Sequence, residues 1–254
     1  MNRPHGPRSV TSPVVRKQAA QKTGTPPVPP PRRILAVDIG GTHVKFRVNT
    51  EDEIRKFDSG PDLTPEAMCA ELLRLTHDWT YDVVSLGYPG PVLHGKPVLE
   101  PHNLAPGWVG FDFARALARP VKLINDAAMQ ALGSYTGGKL LFLGLGTGLG
   151  SAMVVSGIVE PLELAHLPYR KHTYEDYLGL RGLEKYGKKK WRHQVRAVVT
   201  LLRAALEPDE VVLGGGNAPL MHELPPGTQL GDNARAFPGG FRLWDDEVNA
   251  RTVS

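Results

Sequence analysis

The chain has 254 residues, 41% of them hydrophobic, with a single cysteine and a formal net charge of +4. That length holds one large domain or two modest ones, while the composition leaves out a membrane span of roughly 20 apolar residues, a signal-peptide core, a disulfide framework and a multi-cysteine zinc site. The basic excess belongs to the start: residues 1–33 carry seven Lys/Arg, no acid and eight of the 23 prolines, so residues 34–254 are net −3.

By charge, therefore, the folded part is not a nucleic-acid binder. The Pro-rich start, ending "TPPVPPPRR", cannot bury enough to order itself and is expected to be disordered over residues 1–33. It lacks the amphipathic pattern of a transit peptide, and the lone Cys69 suits a reducing, cytoplasmic setting.

Order is expected from Ile34. "ILAV" and "HVKFRV" read as strands around a glycine turn, with "EIRKF" as a third. "TPEAMCAELLRLTHDW" reads as a helix with Thr64 as N-cap and Pro65 in its first turn. "DVVSLGYPGPV" is a buried strand entering a turn at Gly90, where a plain turn and a sugar-pocket lining are equally open. "FDFARALA" is a short helix capped by Asp112, "VKLIND" a strand and "AAMQALGSY" its following helix. The outline then repeats: "KLLFLGLGTGLGSAMVV" is strand, glycine turn, strand. Helices are predicted for residues 173–186 and 191–206, with the basic "EKYGKKKWRH" as a loop opening the second. "EVVLGGG" is a strand running into glycines, and "GDNARAFPGGFRLW" is helix-like but interrupted by Pro238 and two glycines. Two halves that each open on a strand–glycine–strand unit imply a duplicated α/β architecture with a central cleft. Residues 34–127 and 128–254 would be its lobes, the last helix returning to the first.

Three glycine turns stand out: "DIGGTH", "GLGTGLGS" and "LGGGN". Each alone reads as a tight turn. None fits the P-loop, and "GLGTGLG" puts Leu149 where the third glycine of a dinucleotide fingerprint belongs. Two such turns facing each other would instead let backbone N–H groups grip a polyphosphate from both sides. Gly40, Gly41, Gly146 and Gly148 would give access, and the hydroxyls of Thr42 and Thr147 would add donors. Asp38 beside bound phosphates would be repelled unless a cation lay between, so it is read as an organiser of Mg²⁺ and its waters.

On these motifs, residues 34–244 resemble the ROK family within the actin-like/hexokinase (ribonuclease H-like) ATPase superfamily. "DIGGTHVK" looks like its first phosphate motif, "GLGTGLGSA" its second and "VVLGGGNA" its adenosine motif. The compact branch that includes polyphosphate glucokinases is the most similar in style. The resemblance implies sugar contacts from Asn103, Asn125, Glu163 and His166, and a catalytic base and sugar ligand at Asp126. It also implies nucleotide contacts from Gly214, Gly215, Gly216 and Asn217. Taken alone, an Asn-Asp pair after a strand is a turn or helix cap, and a lone His166 is a structural or surface histidine. The sequence departs from the family at Ala165, which replaces the glycine of the E-x-G-H motif, and in lacking the cysteine-rich zinc loop.

The implied activity is transfer of a phosphoryl group from ATP or polyphosphate to the 6-hydroxyl of glucose or a related hexose. A carboxylate accepts the hydroxyl proton, and several fixed polar groups select the sugar. The alternatives are a sugar or nucleotide sensor without turnover and an actin-like assembly protein; the latter has no use for the "ND" and "ELAH" groups. No nucleic-acid or membrane partner is expected, a Pro-rich start being no winged helix-turn-helix, and a homodimer is compatible with the reading. Lys185, Lys188, Lys189, Lys190, Arg192 and His193 are either a solvated basic face or a track for a long anionic donor.

Overall fold

The computed structural model describes Met1 and residues 31–245. The expected disorder of residues 1–33 thus lies outside the described residues except at Met1 and 31–33. The first half comprises β1 (Ile34–Ile39), β2 (His43–Val48), β3 (Arg55–Asp58), α1 (Pro65–Leu75) and β4 (Val83–Tyr88). A hairpin of β5 (Val92–Leu93) and β6 (Lys96–Pro97), then α2 (Phe113–Leu117) and β7 (Val121–Asn125), complete it. β1 to β3 form an antiparallel meander, and β4 and β7 add in parallel on the far side of β1, giving the order β3-β2-β1-β4-β7. Central β4 is buried along its whole length, as its near-continuous apolar sequence demands. Thr64 caps α1 by accepting the Ala67 N–H, and Met68, Cys69 and Leu72 are buried on its inner face. Burial pushes the Cys69 thiol up to about 12, so this cysteine packs and does not react.

The second half comprises α3 (Asp126–Ser134), β8 (Lys139–Leu145), β9 (Leu149–Val155), β10 (Ile158–Leu162) and a hairpin of β11 (Pro168–Tyr169) and β12 (His172–Thr173). It continues with α4 (Tyr174–Leu178), α5 (Leu180–Leu206), β13 (Glu210–Gly214), β14 (Thr228–Leu230) and α6 (Ala236–Arg242). Its sheet order is β10-β9-β8-β13-β14, with the same antiparallel and parallel senses as the first sheet. The α/β duplication expected from the sequence is thus present strand for strand, although β10 and β14 were not foreseen.

Two expectations are corrected. The basic stretch 185–193 is helical except at Gly187 (φ 71°), where α5 breaks into two helices; the break expected after residue 186 is there, but it is a single residue and not a loop. The second helix is anchored by Trp191, fully buried with its indole N–H on the Leu178 carbonyl at 2.8 Å, which joins Val195, Val198 and Leu202 on one face. The stretch around Pro238 is helical because Pro238 falls in the first turn of α6, where its missing N–H costs no helical bond.

The lobe boundary expected between residues 127 and 128 falls inside α3, which touches β4 and β7 as well as β8, β9 and α6. α6 lies on β1, β4 and α3. A Cβ on Gly133 would strike the Arg235 carbonyl, and one on Gly239 the Met129 carbonyl. Glycine at both positions is what lets α3 and α6 cross backbone to backbone.

Candidate active site

The duplicated sheets put two three-residue turns in matching places. Gly40-Gly41-Thr42 joins β1 to β2, and Gly146-Thr147-Gly148 joins β8 to β9. In the first, Ser59 supports the turn from outside, its N–H donating to the Thr42 carbonyl at 2.9 Å and its hydroxyl to the Gly40 carbonyl. Among the described residues no hydrogen bond occupies the hydroxyl of Thr42 or Thr147, and both threonines are exposed. Both turns therefore present unused donors.

Asp38 is the penultimate residue of β1, half-buried and paired in register with Lys45 of β2. Burial pushes its carboxyl up to about 6, against the pull of Lys45. Asp126 is the first residue of α3, at the end of β7. Its Oδ1 accepts the Ala127 N–H at 2.8 Å. Loss of water and the nearby charges of Asp38 and Glu163 push its pKa up to about 7, while the backbone N–H groups at the helix start hold it down. Asp38, Asp126 and Glu163, far apart in sequence, thus share one electrostatic site. Among the described residues no group of three or more His, Cys, Asp or Glu could by itself hold a metal ion. Two half-buried, mutually repelling carboxylates beside open N–H groups do fit a cation that brings phosphate oxygens and water as its other ligands.

Asn125 is the N-cap of α3: its Oδ1 accepts the Ala128 N–H at 3.1 Å, and its Nδ2 donates to the Gly90 carbonyl at 3.1 Å. The capping reading of this asparagine is correct, and its amide also ties the Gly90 turn to the start of α3. A Cβ on Gly90 would lie 2.9 Å from the Tyr88 ring, so that turn needs glycine for packing.

Asn103 is exposed on the segment between β6 and α2, and lies so close to the first turn that a Cβ on Gly41 would be 3.2 Å from its own. The sequence reading missed what holds this loop. Glu100 accepts three backbone N–H groups, those of Gly107 and Trp108 at 3.0 Å each and Val109 at 3.2 Å. Trp108 is fully buried against Tyr88 and Phe113. Nothing in "LEPHNLAPGWV" signals a carboxylate reaching amides seven to nine residues on.

Glu163 and His166 flank a short 3₁₀ turn, exposed, with Nε2 and Oε2 3.8 Å apart. The turn hangs on Ser151, whose hydroxyl donates to the Leu162 carbonyl at 2.8 Å and accepts the Leu164 N–H at 3.2 Å. Ala165 is 3% exposed within the second core, so its methyl fills space that glycine would leave empty.

The second turn is held by backbone neighbours. Asn217 donates from Nδ2 to the Gly146 carbonyl at 3.1 Å and from its N–H to the Leu145 carbonyl at 2.8 Å. Gly215 (φ 83°) sits where a Cβ would meet the Leu145 backbone at 2.6 Å. Gly214 is buried against Phe142, and Gly216 is open to solvent. The "GGGN" residues therefore form one surface with the second turn. Glu175, also unforeseen, accepts the Leu149 N–H at 3.2 Å and closely approaches Gly148. Its sequence context suggests only the capping box between Thr173 and Asp176.

The profile of the ROK family matches residues 34–160. A polyphosphate glucokinase of Mycobacterium tuberculosis is 26% identical over 215 residues, 76% of this chain and 80% of that protein. In fold, the chain is similar to the inorganic polyphosphate/ATP-glucomannokinase of Arthrobacter sp. strain KM (TM-score 0.72, 22% identity, 87% of this chain and 99% of that one). It is also similar to a ROK family glucokinase of Streptomyces griseus solved with glucose and AMPPNP (TM-score 0.68, 16% identity, 83% and 98% respectively). The expected duplicated α/β fold is therefore the observed one, shared with these kinases.

Proposed function

The chain belongs to the ROK family, and on that premise we propose how its residues work as a sugar kinase. The enzyme transfers the terminal phosphoryl group of ATP or polyphosphate to a hexose, in our reading to the 6-hydroxyl of glucose or a close relative. The observation that carries this is Asp126, a half-buried carboxylate near neutrality, coupled to Asp38 and Glu163. A sensor without turnover would have no need of a base held at that cost.

Asp126 Oδ1 is fixed by the Ala127 N–H, leaving the second oxygen to receive the hydroxyl proton as the sugar attacks. Asn103, Asn125, Glu163 and His166 are assigned to the sugar, where unmet polar groups penalise the wrong isomer. The N–H groups of Gly41, Thr42, Thr147 and Gly148 and the two threonine hydroxyls would face the transferring phosphates, while the Gly40 and Gly146 N–H groups close their own turns. Gly214–Asn217 are assigned to the nucleotide when ATP is the donor. Asp38 would hold Mg²⁺ through its waters, the ion neutralising phosphate charge when bound. Closing the lobes would keep water from competing with the sugar. Among the described residues no helix is long and apolar enough to cross a membrane, and we place the enzyme in the cytoplasm.

The test is a coupled assay of a sugar panel against ATP and polyphosphate, with Asp126→Asn beside the wild type. The variant is expected to lose roughly 10²–10⁴-fold in kcat while still binding sugar by calorimetry. Equal rates would remove Asp126 from the mechanism.

A further inference from the structure

The basic stretch of α5 takes no part in the site just described. Residues 180–196 carry Arg181, Lys185, Lys188, Lys189, Lys190, Arg192 and Arg196 against one acid, Glu184. The remainder of residues 34–254 carries 16 basic and 25 acidic residues. A strongly positive island therefore stands on an acidic body.

Several of these cations are engaged. Arg181 pairs with Asp176 at 3.1 Å and Arg196 with Glu223 at 2.9 Å. Arg192 donates to the Leu220 carbonyl, and Lys185 lies 5.2 Å from the centre of the Tyr186 ring. Lys188, Lys189 and Lys190 are exposed and have no acidic partner among the described residues. At about 100° per residue the three fan around the helix, Lys189 opposite the buried Trp191, Val195 and Val198 and its neighbours to either side. Their charge serves no fold contact.

The position of α5 says what the charge faces. The helix begins on the second glycine turn: the Leu180 N–H donates to the Thr147 carbonyl at 3.1 Å, and Gly179 is so close that a Cβ there would lie 2.9 Å from the same oxygen. Lys188–Lys190 follow the break at Gly187, no more than ten residues from Leu180 and so within roughly 20 Å of it. A long anion leaving the turn can span that distance to three exposed cations.

We propose that the exposed basic face of α5 binds the distal part of a long inorganic polyphosphate whose terminal phosphoryl group sits at the second glycine turn. This rests on the reading of the protein as a kinase that accepts a polyphosphate donor, and adds where the unreacted length of that donor lies. Polyphosphate carries charge along its whole length and no sequence, so lysines acting as point charges suffice to hold it. Binding of this kind releases counterions and weakens with salt.

The experiment uses the full chain, glucose, and three donors: ATP, tripolyphosphate and long-chain polyphosphate. The variant replaces Lys188, Lys189 and Lys190 together by Gln, which keeps helix propensity. For the variant, KM for the long chain is expected to rise about tenfold or more, with KM for ATP and tripolyphosphate within about twofold and kcat unchanged. ATP kinetics on the same preparation show that the variant is folded. In wild type, the advantage of the long chain over tripolyphosphate is expected to shrink with added salt. The proposal is overturned if all three donors shift alike, or if KM for the long chain does not change. Failure of the kinase reading looks different: the wild type would phosphorylate no sugar from any donor. Direct binding of fluorescent long-chain polyphosphate to wild type and variant then decides for the track if the variant binds about tenfold more weakly, and against it if the two bind alike or neither binds.

Discussion

The two glycine turns occupy the same place in two sheets of the same order, yet they are built for different work. Two residues before the first turn stands Asp38, opposite Lys45; two residues before the second stands Gly144, opposite Gly150. The first turn thus has an acid of its own and lies against Asn103. The second has none, and is held by Asn217, by the start of α5 and by Glu175 from a separate helix. Duplication supplied two matching frames, and the residues around each frame divided the labour. In the reading proposed above, the cation falls to the first half, while the phosphate and sugar contacts draw on both.

That division can be tested from the first half outward. Asp38→Asn is expected to cost on the order of 10²-fold in kcat/KM, because the cation that offsets phosphate charge loses its anchor. The loss should be partly recovered at high Mg²⁺. A loss under threefold at low Mg²⁺ would show that the acid of the first turn has no special part in metal chemistry.

Glu100→Gln sharpens the comparison on the sugar side. One side-chain oxygen and a charge are lost from a site that satisfies three backbone N–H groups, worth about 1–2 kcal/mol. KM for sugar should rise about tenfold with KM for ATP little changed, since Asn103 shares that loop. Equal effects on both substrates would mean a general loss of structure instead.

The remaining effects are those of pH, smallest in stability. Asp126 is pushed up from 3.8 to about 7 and Asp38 from 3.8 to about 6. Such groups favour the folded state while protonated, so their contribution is complete below about pH 4 and is lost as the pH rises through 6 and 7. The unliganded protein should therefore melt at a lower temperature at pH 8 than at pH 5. Asp126→Asn should remove most of that slope and stabilise the protein at pH 8 by about 1–2 kcal/mol, a figure reduced for partial exposure. In the wild type, kcat/KM for sugar should fall about tenfold per pH unit below 7 as the base is protonated. A rate independent of pH from 6 to 8, with an unchanged melting curve in the variant, would refute the shifted pair.

The local signals were legible because they act over a few residues. Glycine turns, the Thr64 and Asp112 caps, the buried strands and the repeat of strand–turn–strand all follow from backbone sterics and short periodicity. Less local devices were hidden. β14 is a three-residue strand that exists because β13 offers it an edge. The second segment of α5 depends on a pocket for Trp191, and the helix at Pro238 lies where Gly133 of α3 and Gly239 meet face to face.

The sequence by itself determined the motifs, their order and the charge map, which suffice to name a duplicated ATPase-like frame and the acids worth watching. Only the tertiary structure decided what those acids are. Burial, and the approach of Asp38 and Glu163 across the fold, turn Asp126 from a helix-capping carboxylate into one near neutrality. Glu100 and Glu175 became visible only where the chain doubles back on itself. The physical reason is the same in each case: desolvation and long-range contact depend on what surrounds a side chain, and its neighbours in sequence do not supply that.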